Sequence, residues 1–256
     1  MSLVLTPLEN IPLILPGDDL ARIISGSMAK MNLEVQDGDI FIIAQKVVSK
    51  SENRLVKLSE VIPGDRARQI ASECEKDPRL IELILDESNC VLRKVPGTII
   101  VEHRLGFVCA NAGIDHSNVK GPDGDPQDWV LLLPRDPDGS ARQIQKALRS
   151  IYPVDLGVLI IDSHGRSWRN GIVGISIGMA GVPGLVDLRG TPDLFDYSLR
   201  ITQVGAADEL AAAASLVMGQ ADEGTPIVHA RGFPYALRDD SSIKELIRDR
   251  ERDLFR

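Results

Sequence analysis

The stretch Val158-Leu-Ile-Ile-Asp-Ser-His-Gly-Arg-Ser-Trp-Arg169 constrains the fold more than any other. Four apolar residues, mostly β-branched, run directly into Asp162 and Ser163, and Gly165, Arg166 and Arg169 follow. A short apolar run closed by turn chemistry reads as a buried strand. The carboxylate and hydroxyl at its end are hard-cation ligands, placed where a nucleotide could sit. The plainer alternative is that Asp162 only caps a turn.

The chain has 256 residues, enough for one large domain or two lobes with real cores. A net charge of −8 argues against a general nucleic-acid binder, although a local basic cluster would still suit a small anion. Cys74, Cys90 and Cys109 show no C-x-x-C spacing, so neither a disulfide framework nor a zinc site is expected, and a reduced cytoplasm is the default. The N-terminus lacks the basic and apolar regions of a signal peptide. No apolar run approaches the ~20 residues of a membrane span.

Helical and extended patterns alternate along the whole chain. Residues 3–6 and 11–15 read as extended, and Asp18 or Asp19 caps a helix with Leu20, Ile23, Ile24, Met28 and Met31 on one face. Asp39 to Gln45 reads as a strand leading into a basic loop, Lys46-Val-Val-Ser-Lys50 and Arg54. Helical patterns follow at 63–76 and 78–87, then three short strands at 91–95, 98–103 and 105–110. Residues 110–119 form a loop of small and polar residues, and 120–127 a surface turn. Trp129 to Leu133 is a strand, and Ser140 caps a helix over 141–151 with Ile144, Leu148 and Ile151 inward. Gly205 to Met218 is the clearest helix, 227–231 a strand, and a charged helix capped at Asp240, Ser241 or Ser242 runs to about Leu254. The expected class is mixed α/β (α+β): two intertwined α/β lobes with mixed sheets and discontinuous boundaries within one 1–256 domain. It is expected to be neither a Rossmann nor a P-loop fold; the absence of G-x-x-x-x-G-K-[ST] excludes a Walker loop.

Polar residues gather at four element ends: Gln45 to Lys50, Asp115 to Asn118, Asp162–Ser163 and Gly219 to Thr225. Two carboxylates with a hydroxyl and an amide form an all-oxygen set suited to Mg2+ or Mn2+ rather than Zn2+. Magnesium commonly adds substrate phosphates to one or two carboxylates, which makes a nucleoside triphosphate the natural partner. Lys50, Arg166 and Arg169 are candidates to hold phosphate or carboxylate; for the two arginines, ion pairing with the many acidic residues is the competing role. His116 and His164 flank the metal motifs and are placed outside the site. His103 and His229 lie in strand-like runs.

At these motifs the chain resembles the coenzyme F420-0:L-glutamate ligase family, in its stand-alone form without a nitroreductase-like domain. The resemblance is carried by Lys46 to Lys50 with Glu52 and Arg54, by Cys109 to Asn118, by Ile161 to Arg169, and by Ala206-Ala-Asp-Glu-Leu-Ala with Val217-Met-Gly-Gln220. It implies a cytoplasmic homodimer that joins L-glutamate to F420-0 with GTP and two divalent ions, Mg2+ or Mn2+, and then adds a further γ-linked glutamate. K+ is carried as an accessory ion. Asp115 and Asp162 would hold one metal, and Ser163 and Gln220 a second. Asp115, Asp162 and Lys50 would be the catalytic set. GTP contacts would come from Ile11, Pro12, Leu13, Ile14, Gln45, Lys50 and Asn118, and from Met218, Gly219, Gln220, Ala221, Asp222, Glu223, Gly224 and Thr225.

Two rival readings stand beside this one. Gly174-Ile-Ser-Ile-Gly178 matches the G-x-S-x-G nucleophile elbow, which would make Ser176 the nucleophile of a serine hydrolase. That motif needs a strand, a sharp turn and a helix, whereas here it lies inside a strand-like run. The small residues are better explained by a close backbone approach. The non-enzymatic rival is a GTP-binding interaction module.

Overall fold

The computed structural model describes residues 2–122 and 124–253. Its elements follow the alternation read from the sequence: β1 (Val4–Pro7), α1 (Leu20–Lys30), β2 (Asp39–Ala44), α2 (Gln45–Ser51), β3 (Leu55–Lys57), α3 (Asp65–Cys74), α4 (Pro78–Asp86), β4 (Ser88–Val95), β5 (Thr98–His103) and β6 (Val108–Ala110). Then come β7 (Trp129–Leu131), α5 (Pro137–Ile151), β8 (Leu156–Arg166), β9 (Arg169–Ala180), β10 (Val186–Asp187), β11 (Gln203–Val204), α6 (Ala206–Met218) and β12 (Ile227–Arg231). The fold is mixed α/β. No helix among the described residues is long and apolar enough to cross a membrane.

The central sheet has five strands in the order β1-β12-β2-β8-β9, with only the β2–β8 pair parallel. Strand side chains alternate between faces, so a strand buried on both sides is apolar throughout. In β2, Phe41 and Ile43 join one core with Leu20, Ile24 and Met28 of α1 and Ile144 and Leu148 of α5. Ile40 and Ile42 join the opposite core with Ala207, Leu210, Ala211 and Ala214 of α6. The predicted strand at Val158 to Ile161 lies in β8, another of the sheet's three interior strands, and is buried along that whole run. A separate core lies between α3, α4 and the β4-β5-β6 sheet, with Ala67, Ile70, Cys74, Ile84, Ile99 and Val101 at its centre.

Arg54 ties this second region to the rest. Its buried guanidinium donates to the Leu133 carbonyl at 2.8 Å and pairs with Glu87 at 2.8 Å. Glu87 also pairs with Arg104 at 2.8 Å, and His103 Nε2 lies 3.7 Å away. Burial disfavours the charge on Glu87, but these neighbours hold its carboxyl at a pKa of about 2.

Several local expectations are corrected. Residues 11–15 form no strand. The predicted basic loop after β2 is helix α2, because Val47 and Val48 bury into the central core and carry the segment into a helical turn. Helix α5 begins at Pro137, not after Ser140. Asp136 caps it by accepting from the Gly139 amide at 3.0 Å, and proline's fixed φ suits the first helical position. Ile151, expected inward, is 42% exposed. The long C-terminal helix is absent from the described residues. Ser242 and Glu245 instead form a capping box on a short 3-10 turn at Ile243–Glu245, and another such turn spans Arg250–Arg252; Leu254 lies outside the described residues. Too few apolar residues recur at helical spacing there for packing to sustain a helix.

Candidate functional site

Strand β8 does not end at Asp162. It continues to Arg166 and pairs with β9, with Asp162 opposite Ile175 and Ser163 opposite Gly174. Asp162 is therefore a mid-strand residue, and the turn-cap alternative falls. Beside it lies a cavity of about 630 Å³. Its lining draws on the loop Ile11 to Ile14, the start of α2, the Asp115 to Asn118 loop, Ile161 to Ser163, and the stretch from Met218 to Pro226. The residues named from the sequence as metal ligands, catalytic set and GTP contacts all border this single space, whereas Arg166 and Arg169 do not.

Helix α2 sets one wall. Lys46 and Lys50 are four residues apart and so share a helix face. Lys46 Nζ pairs with Asp115 Oδ1 at 2.6 Å, and Lys50 Nζ donates to the Asn118 carbonyl at 2.8 Å. Gln45 is fixed from behind, since the Ser49 hydroxyl donates to its Oε1 at 2.9 Å, while its Nε2 donates to Asp115 Oδ2. Lys46, a cavity residue that sequence reasoning passed over, could have been found from its four-residue spacing to Lys50.

Burial pushes the Asp115 carboxyl up, and the nearby Asp162 charge adds to this against the pull of Lys46. At Asp162 burial acts the same way, but the His164 hydrogen bond and charge prevail and hold its carboxyl below the usual range. His164 Nε2 lies 2.8 Å from Asp162 Oδ2, and Phe107 packs on the His164 ring at 5.4 Å between centroids. His164 thus touches a site carboxylate without lining the cavity. Burial, with the charge of Lys46, pushes the Lys50 ammonium down, while Asp115 opposes the shift.

The last wall comes from the C-terminal end of α6. Gln220 Nε2 donates to Ser215 Oγ at 2.9 Å, which turns its Oε1 toward Ser163, whose hydroxyl donates to it at 2.9 Å. Asn118 Nδ2 donates to the Ala221 carbonyl at 3.0 Å, joining the two loops across 103 residues of chain. A helix C-terminus carries partial negative charge, so this end of α6 suits a cation rather than a bare phosphate.

The donor set fits a hard divalent ion. Among the described residues no three His, Cys, Asp or Glu side chains converge, so an ion here would rely on two carboxylates, the Ser163 and Gln220 oxygens, and oxygens of a ligand. That is the habit of magnesium with phosphate substrates. Lys46 and Gln45 take both oxygens of Asp115, so an entering cation exchanges with the Lys46 ammonium.

Ser176 is buried in β9, and its amide donates to Asp208 at 2.9 Å. There is no strand–turn–helix elbow at this position. The flanking glycines do admit close neighbours: a Cβ at Gly174 would meet Ala211 O of α6 at 2.6 Å, and one at Gly178 would meet Pro137 of α5 at 2.5 Å.

The family profile described as F420-0:Gamma-glutamyl ligase matches residues 9–232. The chain is 47% identical to coenzyme F420:L-glutamate ligase of Methanothermobacter thermautotrophicus, over 100% of both chains. It is 46% identical to the enzyme of that name from Methanopyrus kandleri over 97% of both, and 38% identical to that of Archaeoglobus fulgidus over 100% of this chain and 97% of the relative.

Proposed function

The chain belongs to the F420-0:gamma-glutamyl ligase family, and on that premise we propose that it joins L-glutamate to coenzyme F420-0 in F420 biosynthesis, using GTP and divalent metal. A further γ-linked glutamate is added in a second round, and the working form is a cytoplasmic homodimer. The observation that carries this reading is the convergence of five separate chain segments on one cavity with Asp115 and Asp162, Lys46 and Lys50, and an oxygen-rich wall.

A carboxylate is a poor acyl donor, because its leaving group would be oxide. Transfer of the GTP γ-phosphoryl group to the acceptor carboxylate gives an acyl phosphate and GDP. The glutamate amine then attacks the acyl carbon, the amide bond forms, and phosphate leaves with the electron pair of the broken C–O bond. The protein's task is to hold two anions together and neutralise their charge. Lys50 and Lys46, on one face of α2, hold phosphate oxygens. Asp115 and Asp162 would hold one ion and Ser163 and Gln220 the other, and such ions supply neutralisation of phosphoryl charge. His164 keeps Asp162 oriented. The loop from Met218 to Thr225, with Gln45, Asn118 and Ile11 to Ile14, borders the nucleotide.

The test is incubation with F420-0, GTP, Mn2+ and glutamate, read by mass spectrometry. The expected product is heavier than F420-0 by one glutamyl unit, and no mass gain refutes the assignment. Asp162→Asn should abolish the gain while Ser176→Ala leaves it unchanged. An active D162N would dismiss the metal role, and nucleotide binding without glutamate-dependent GDP release would favour the interaction module.

A further inference from the structure

The β8–β9 hairpin runs on past the cavity. From Ser163, a lining residue, β8 continues to Arg166, the chain turns through Ser167 and Trp168, and β9 returns through Arg169 to Ile172, which lines the cavity again. Every residue from Gly165 to Ile172 is exposed. Three chemical features meet on this arm. Trp168 is 88% exposed, so its indole contributes little to the core. Its backbone sits at φ 65°, a left-handed conformation that is uncommon for a bulky residue and recurs in ligand-holding segments. The arm also carries Arg166 and Arg169 and no acidic residue, on a chain of net charge −8.

The two arginines differ. The Arg166 guanidinium donates to the Gly171 carbonyl at 3.2 Å and braces the hairpin. The Arg169 side chain makes neither an ion pair nor a hydrogen bond among the described residues, which argues against the ion-pair role weighed for it from the sequence. An exposed indole followed one residue on by an unengaged guanidinium suits a planar, anionic molecule. At about 3.3 Å per strand residue, the tip stands on the order of 10–15 Å from Ser163. Glutamate is too short to span that distance; an elongated acceptor with a ring at one end and a carboxylate at the other is not.

We infer that the Gly165–Ile172 arm is the acceptor-binding element, with the acceptor's flat heteroaromatic ring stacked on Trp168 and its anionic chain paired with Arg169, so that the carboxylate to be amidated reaches Asp162 and Ser163. This rests on the ligase reading, which supplies such an acceptor.

The experiment is steady-state kinetics of Trp168→Ala, Trp168→Phe and Arg169→Gln with F420-0, GTP and glutamate varied in turn, alongside molar mass by light scattering. W168A raises the KM for F420-0 about tenfold, the scale of one lost aromatic stack. R169Q raises it severalfold, and W168F stays near the unsubstituted protein. The KM values for GTP and glutamate and the molar mass do not move. An unchanged F420-0 KM in W168A, an equal rise in the GTP KM, or a changed molar mass each overturns the inference, the last by giving Trp168 to self-association. If the unsubstituted protein forms no amide, the ligase reading fails by itself. The arm is then judged by binding alone, and equal quenching of F420-0 fluorescence by W168A and the unsubstituted protein overturns it.

Discussion

Gly174→Ala is the substitution whose cost can be worked most directly from the structure. The new Cβ would stand 2.6 Å from the Ala211 carbonyl oxygen and 2.6 Å from Ser215 Cβ. Ordinary contact begins near 3.4 Å, so α6 must retreat by about 0.8 Å, the difference between 3.4 and 2.6. Neither obstacle is the far end of a flexible side chain. Overpacking of this kind costs roughly 1–3 kcal/mol. For a chain of this size about 2 kcal/mol lowers Tm by roughly 4–8 °C. The shift also reaches the cavity, because Ser215 holds Gln220, which faces Ser163. Ligation should therefore fall by more than the fraction of unfolded protein accounts for. The contrast is Gly26→Ala in α1, where a Cβ meets nothing within 4 Å. There the gain in helix propensity stabilises by about 1 kcal/mol. Urea unfolding of both variants gives the comparison. A G174A stability within about 0.5 kcal/mol of the unsubstituted protein, the usual range for harmless surface changes, would refute the close-packing argument, as would a G26A variant equally damaged.

Two further outcomes follow from buried groups. Glu87, with its pKa depressed from 4.5 to about 2, contributes stability that is complete above pH 4.5 and is lost as the pH falls toward 2. Glu87→Gln should remove that acid-sensitive limb from urea midpoints measured against pH. At neutral pH it should cost roughly 3–5 kcal/mol by leaving the Arg54 charge buried; a limb that persists in the variant refutes this. Burial, with the Asp162 charge, pushes the Cys109 thiol up to about 12, and Cys74 is fully buried, whereas Cys90 is partly exposed. Iodoacetamide at pH 8, read by mass spectrometry, should label Cys90 alone until denaturant is added, and early labelling of Cys109 would contradict that burial.

Most of the architecture was legible before any coordinates. The run from Val158 to Ile161 and the apolar β2 demanded a sheet covered on both faces, because alternate side chains of an all-apolar strand need a core on each side. The Ala-rich α6 and a cap at Asp18 or Asp19, which the structure gives to Asp19, were legible for reasons equally local. Expectation and structure part where packing overrides local signals. Lys46 to Lys50 reads as a charged loop until Val47 and Val48 find a core to enter, and Ser140 reads as a cap until Pro137 takes the first helical position. The C-terminal charges describe a helix only if an apolar face accompanies them.

For the candidate site, residue types and their order along the chain were enough to single out Asp115, Asp162, Ser163, Gln220 and the basic segment from Lys46 to Lys50 as candidates. They could not say that Asp162 lies in mid-strand, that His164 clamps it, that Lys46 already occupies Asp115, or that Trp168 crowns an exposed arm. Some of those facts depend on contacts far apart in the chain, such as Lys46 with Asp115, and others on the extension of the β8–β9 hairpin, which puts Asp162 and His164 on one strand face. Local sequence sets which side chains exist and what each element prefers. Only the folded chain decides which of them share a cavity, because burial, charge pairing and hydrogen-bond geometry are properties of neighbours in space.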